Sequence, residues 1–144
     1  KIGIGSDHGG FELKESIIDL LKEQEIDFVD YGTYSRDSVD YPDFGEKVGQ
    51  AVVNKEVDRG IVVCGTGIGI SIAANKVKGV RCALCSDCFS AKMSRQHNDA
   101  NVLALGGRVL GVELALEIVI TYLSHDFEGG RHALRLEKID EIMD

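Results

Sequence analysis

Apolar runs along the chain alternate with stretches in which apolar residues recur every three or four positions. Five short runs carry a strand signature: "KIGIGS" (1–6), "IDFVDYG" (26–32), "GIVVCG" (60–65), "VRCALC" (80–85) and "NVLALGG" (101–107). Several are nearly continuous in apolar residues, the pattern of parallel strands covered on both faces by helices. Between the first two, Leu13, Ile17, Leu20 and Leu21 mark one face of a helix over 11–24. Further helices are predicted over 43–55, 67–77, 86–96 and 111–124, and a last one over 131–143 closes the chain. This alternation, with right-handed crossovers, predicts an α/β fold: a three-layer αβα sandwich around a parallel five-stranded sheet, with a C-terminal helix. The expected strand order is 2-1-3-4-5. The one long irregular stretch, "YGTYSRDSVDYPDF" (31–44), holds the only proline, Pro42, read as fixing a loop. No repeat or linker divides the chain, so a single domain over 1–144 is expected.

Two of the helices are more apolar than a surface position allows. "IGISIAAN" is small and greasy, and "VELALEIVITYL" has little polar face beyond Glu113, Glu117 and Thr121. In a domain this small, such faces point to a subunit interface and hence to a homo-oligomer. A formal net charge of −8 argues against nucleic acid or an anionic membrane as a partner, since both reward a basic surface. It leaves room for a small phosphorylated ligand held by a local cluster of Arg and His. No apolar stretch approaches the roughly 20 residues of a membrane span, and no basic-then-apolar leader is seen at the start. Four cysteines without a secretion signal suggest reduced thiols and a cytoplasmic protein.

Candidate chemistry gathers where strands end. Ligands of open parallel sheets bind beyond the carboxyl ends of the strands. That rule collects Asp7-His8-Gly9-Gly10, the loop "CGTGIG" after Cys64, the segment after Cys85, and Gly106-Gly107-Arg108. Glycines at 65, 67 and 69 let backbone N–H groups approach an oxyanion, and the following helix N-terminus adds positive potential. The spacing is not that of a Walker loop, which needs Lys where Thr66 and Gly67 follow Gly65, nor of a dinucleotide fingerprint. Ile70 stands where a cysteine phosphatase needs Arg. Cys64 faces the helix N-terminus, which favours a thiolate and makes it a candidate base or nucleophile. A buried structural thiol fits the same position equally well. Cys82, Cys85 and Cys88 have CxxCxxC spacing, but no fourth ligand stands at the iron–sulfur offset, so core roles are expected rather than a metal. Arg131 and Arg135 are i,i+4 on the last helix, and both can face one dianion. His125 and His132 are read as ordinary surface side chains.

Five motifs, "SDHGGFELK", "DYGTYS…DYPDF", "CGTGIGISIAANK", "SRQHNDANVLALGGRV" and "FEGGRHALR", together resemble the type B ribose-5-phosphate isomerases over essentially the whole chain. Those enzymes share a wider family with galactose-6-phosphate isomerase subunits. The resemblance implies a Rossmann-like fold and interconversion of ribose 5-phosphate and ribulose 5-phosphate without metal or organic cofactor. It also implies a homodimer, or a tetramer of dimers, with the site between subunits. By resemblance Cys64 is the base for the C2 proton, and Ile70 stands where some relatives carry a glutamate base. The backbone of Gly65, Gly67, Ile68, Gly69 and Ile70 holds the enediolate oxygens, and Thr66 holds or passes a hydroxyl proton. His97 is the ring-opening acid/base and Asn98 meets sugar hydroxyls. Asp7 orients O1 or the ring oxygen, although an Asp after a strand is also an ordinary cap. His8, Arg108, Arg131 and Arg135 take the phosphate, and Asp40 and Tyr41 line the pocket. The same chemistry on allose or galactose 6-phosphate is the near alternative. A non-catalytic sugar-phosphate sensor, which has no need of Cys64, and a flavin-binding module are the distant ones.

Overall fold

The computed structural model describes residues 1–142. Five parallel strands, β1 (Ile2–Ser6), β2 (Phe28–Asp30), β3 (Arg59–Cys64), β4 (Cys82–Leu84) and β5 (Val102–Gly106), form one sheet. Six α-helices accompany them: α1 (Phe11–Glu23), α2 (Tyr41–Val53), α3 (Ile68–Asn75), α4 (Cys88–Gln96), α5 (Val112–Leu123) and α6 (Arg131–Asp140). A 3₁₀ turn, His8–Gly10, joins β1 to α1. All five strands and all six helices expected from the pattern are present. Helix α6 is described to Asp140, and residue 143, the expected end of the last helix, lies outside the described residues.

The side-chain alternation of each strand divides the core in two. Ile61 and Val63 face a cluster built by Leu13, Ile17 and Leu21 of α1 with Ile118 and Tyr122 of α5. Val62 and Cys64 face the other side, packed with Val48 of α2 and with Ile70 and Ala74 of α3. Lys14 of α1 is fully buried, and its ammonium donates to both carboxylate oxygens of Asp30 at 2.9 Å. That pair ties α1 to the end of β2 and neutralises a charge that burial would otherwise penalise.

The strand order is β2-β1-β3-β5-β4, which corrects the expected 2-1-3-4-5. Strand β5 lies between β3 and β4, paired with both, and β4 is the edge. The physical reason is burial: every residue of β5 is inaccessible, while β4 is only three residues long and leaves Leu84 40% exposed. A second correction concerns the long loop. It ends at Asp40, and Tyr41 and Pro42 form the first turn of α2, where proline's missing N–H is no loss.

Candidate active site

Strand order reverses direction between β1 and β3, the point at which open parallel sheets leave a crevice at their carboxyl edge. Cys64 is the last residue of β3, and Asp7 and His8 follow β1 beside it. Asp7 is buried, and its Oδ1 accepts from the Gly10 amide at 3.0 Å, so the cap reading of this residue is realised. His8 Nδ1 accepts from the Val39 amide at 3.1 Å, which fixes the neutral ring's proton on Nε2. From the β5 exit, Gly107 and Arg108 donate backbone bonds to the carbonyls of Cys64 and Gly65 at 2.8 and 2.9 Å. The three strand ends are thus laced into one floor. A side chain at Gly106 would put its Cβ 2.6 Å from the Thr66 carbonyl, so only glycine permits that approach.

The glycine loop turns at Gly67, whose φ of +80° is left-handed, and α3 begins at the next residue. Cys64 is 5% exposed, and its Sγ accepts from the Gly67 amide at 3.1 Å. The Ile68 amide donates to Thr66 Oγ1 at 3.2 Å, and the Ser71 amide closes onto the Gly67 carbonyl. The first-turn amides of a helix have no intrahelical partner. Of those expected to hold an oxyanion, the amides of Gly65, Gly69 and Ile70 are the three without an acceptor among the described residues. The Ile70 side chain is fully buried against Cys64 in the core, so this residue offers the site its backbone alone. The Tyr41 ring lies against Gly69, where an added Cβ would come within 2.5 Å of ring carbon Cε1. Asp40 precedes α2 without capping it.

The remaining predicted residues are elsewhere. Helix α4 starts beyond the carboxyl end of β4 and runs back, so His97 and Asn98 emerge at the amino-terminal edge of the sheet. The contacts there are with the strands' beginnings: Arg81, just before β4, donates its Nε to the Asp99 carbonyl at 3.0 Å and its backbone amide to Asn101 Oδ1 at 2.7 Å. Helix α6 docks at the same edge. The Glu128 amide donates to the Gln96 carbonyl at 3.0 Å, and the His132 ring stacks on His97 with centroids 4.2 Å apart. Arg131 and Arg135 are exposed one turn apart on α6. At about 3.3 Å per residue, the six residues of β3 separate Cys64 from this edge by on the order of 17 Å. One chain therefore presents two half-sites: Cys64, Thr66, Asp7, His8, Tyr41 and Arg108 at one edge, His97, Asn98, Arg131 and Arg135 at the other.

Two histidines differ from their reading in the sequence. His132, expected on the surface, is buried, with Glu128 Oε1 3.8 Å from its Nε2 and 3.5 Å from that of His97. Burial, then His97 and Arg131, hold its pKa below the usual imidazole value against the pull of Glu128. His97, Glu128 and His132 also bring three potential metal donors within 4.8 Å of one another, with 15° between the planes of the two stacked rings. His125 has its Nδ1 2.7 Å from the Thr121 carbonyl and is a partly buried helix-end residue. Cys82 and Cys85 conform to the core reading: burial pushes their thiols up to about 12 and about 11. All four cysteines are free.

A buried thiol below a helix-N-terminal glycine loop, at the switch point of an open parallel sheet, defines an α/β protein that takes a small anionic ligand at that crevice. The chain belongs to the ribose/galactose isomerase family, whose model matches residues 2–139. It is 52% identical over 142 residues to ribose-5-phosphate isomerase B of Escherichia coli, covering 99% of this chain and 95% of that one. Among solved structures, ribose-5-phosphate isomerase B of Clostridium thermocellum superposes with a TM-score of 0.96 at 61% identity, covering 97% and 95% of the two chains. A ribose 5-phosphate isomerase from Thermotoga maritima gives 0.96 at 52% identity, covering 98% and 97%.

Proposed function

We propose that this chain interconverts ribose 5-phosphate and ribulose 5-phosphate through an enediolate, with Cys64 as the base. The observation that carries the reading is the pairing of Cys64 Sγ with the unpartnered Gly69 and Ile70 amides on one loop. Cys64 as thiolate takes the proton from C2, and the C–H electron pair becomes the C1–C2 double bond. Negative charge then builds on O1, within reach of N–H donors that need not reorganise. Transfer of the O2 proton to O1 makes C2–O2 the carbonyl as the C1–C2 electron pair takes the proton held by Cys64 onto C1, and the ketose results. Thr66, whose hydroxyl sits at the rim, relays the hydroxyl proton, and Asp7 Oδ2 orients O1.

Opening of the furanose ring requires an acid/base, and His97 suits proton transfer in either direction. Since the two half-sites of one chain lie at opposite sheet edges, a working site requires His97, Asn98, Arg131 and Arg135 of a second copy against Cys64 of the first. Exposed apolar side chains agree with such a pairing: Ile68 and Ile72 on α3 are 52% and 58% exposed, and Leu134 on α6 is 63% exposed. The phosphate would rest between His8 and Arg108 of one copy and the two arginines of the other.

The family name covers both ribose and galactose, which favours a hexose 6-phosphate as the second reading. The test is ketose formation from ribose 5-phosphate by chelator-treated protein, with allose 6-phosphate alongside. Wild type is expected to turn over the pentose, and Cys64→Ser to lose at least a thousandfold in kcat while still binding inorganic phosphate. Near-normal activity in Cys64→Ser would overturn the base assignment. Turnover of the hexose alone would move the substrate.

A further inference from the structure

A cavity of about 340 Å³ opens beside the Cys64 crevice, lined by His8, Gly9, Glu12, Arg36, Gly107 and Arg108 among others. His8 and Arg108 belong to the phosphate end of the proposed site, and the glycines leave its floor open. Arg36 and Glu12 come from outside it: Arg36 from the loop before α2, Glu12 from the first turn of α1. They are joined at the rim, where Arg36 Nε donates to Glu12 Oε1 at 3.0 Å. Both side chains are more than 70% exposed, and an ion pair this solvated is held weakly. The guanidinium lies over the Phe11 ring, 5.8 Å from its centroid, which keeps it at the cavity mouth. Its terminal nitrogens have no acceptor among the described residues, so most of its five N–H donors are uncommitted.

We propose that Arg36 is a phosphate-binding residue of this site, and that Glu12 is the anion it exchanges for the substrate's phosphate. The inference rests on the isomerase reading above and extends it to a loop residue. Among the described residues Glu12 is the only acidic side chain lining the cavity, and a dianion entering beside it is repelled by that carboxylate and attracted by the arginine it restrains. Exchanging a monovalent, solvated carboxylate for a phosphate shared with His8 and Arg108 gives Arg36 shorter, charge-assisted bonds. The swap also draws the loop of residues 33–40 onto the ligand. Val39 of that loop already donates to His8, so loop and phosphate contact move together.

The experiment measures inorganic phosphate binding by calorimetry, and its inhibition of ribose 5-phosphate turnover, in the intact oligomer. Arg36→Ala is expected to weaken phosphate and raise KM by about fivefold or more, the loss falling on KM rather than kcat. Arg36→Lys keeps the charge without the fork and should recover part of the loss. Glu12→Gln should tighten phosphate by about twofold or more, because it removes the competitor and the repulsion together. Unchanged phosphate binding in Arg36→Ala, with wild type active, overturns this inference and leaves the isomerase reading standing. Weaker binding in Glu12→Gln shows a carboxylate that merely props the arginine and overturns the exchange. Wild type that neither binds phosphate nor turns over the pentose overturns both.

Discussion

His132 is enclosed by α4 and α6 with two arginines on its own helix, and a charged imidazole there is opposed on every side but that of Glu128. Its folded pKa lies below the ordinary value near 6.5, so between the two the unfolded chain binds more protons than the folded one. Stability therefore falls as pH drops from about 6.5 through the folded pKa, and is flat with respect to this group above 6.5. Thermal melts between pH 7.5 and 5 should show the fall, and His132→Gln should reduce its slope. A slope unchanged in the variant would place the acid sensitivity in other groups. At this scale the sequence was uneven as a guide. The placement of Cys64, Asp7 and Thr66 at one strand-end crevice was legible because ligand sites of open parallel sheets gather beyond the carboxyl ends of the strands. The same rule did not reveal which amides stay unpartnered. His132 was illegible, since its burial depends on α6 docking against the end of α4, a long-range contact with no periodic signature.

Among the elements, α3 and the loop before it carry most of the chemistry in the fewest residues. Gly67 makes the turn with φ +80°, and a Cβ there would lie 2.8 Å from the Leu105 carbonyl carbon and 2.6 Å from Leu84 Cδ1. Gly67→Ala costs about 1–2 kcal/mol for the left-handed backbone alone, and the β5 backbone cannot retreat from the clash. The expected result is a lower urea midpoint together with loss of turnover, because the Gly69 and Ile70 amides hang on that turn. An alanine variant with wild-type midpoint and activity would show that the loop tolerates another path. The element boundaries followed from hydrophobic period and punctuation, and missed mainly where Pro42 opens α2 instead of ending a loop. The exchange of β4 and β5 in the sheet was beyond local pattern, because strand pairing is chosen by total burial. The unbroken apolar run of 102–106 and the arginine second in "VRCALC" are the marks of centre and edge that the order obeys.

For the whole molecule, the separation of Cys64 from His97 sets a condition that no side-chain movement within one chain can meet. A sheet does not shorten, so residues at its two edges join one site only by the meeting of two chains. A chain with Cys64→Ala and a chain with His97→Ala are each expected to be inactive alone. In a mixed dimer, one crevice combines both lesions, and the other combines an intact Cys64 with an intact His97. Random pairing makes about half of the dimers mixed, and half of their sites whole, so co-refolded variants should recover about a quarter of wild-type activity. Recovery depends on subunit exchange, which dilution of one inactive variant into the other under native conditions would time directly. If the mixture stays as inactive as its components while forming mixed dimers, His97 is not the partner of Cys64, and the acid must be sought on the Cys64 edge. His8 and Asp7 would then be the groups to test, since both are titratable and follow β1 beside Cys64.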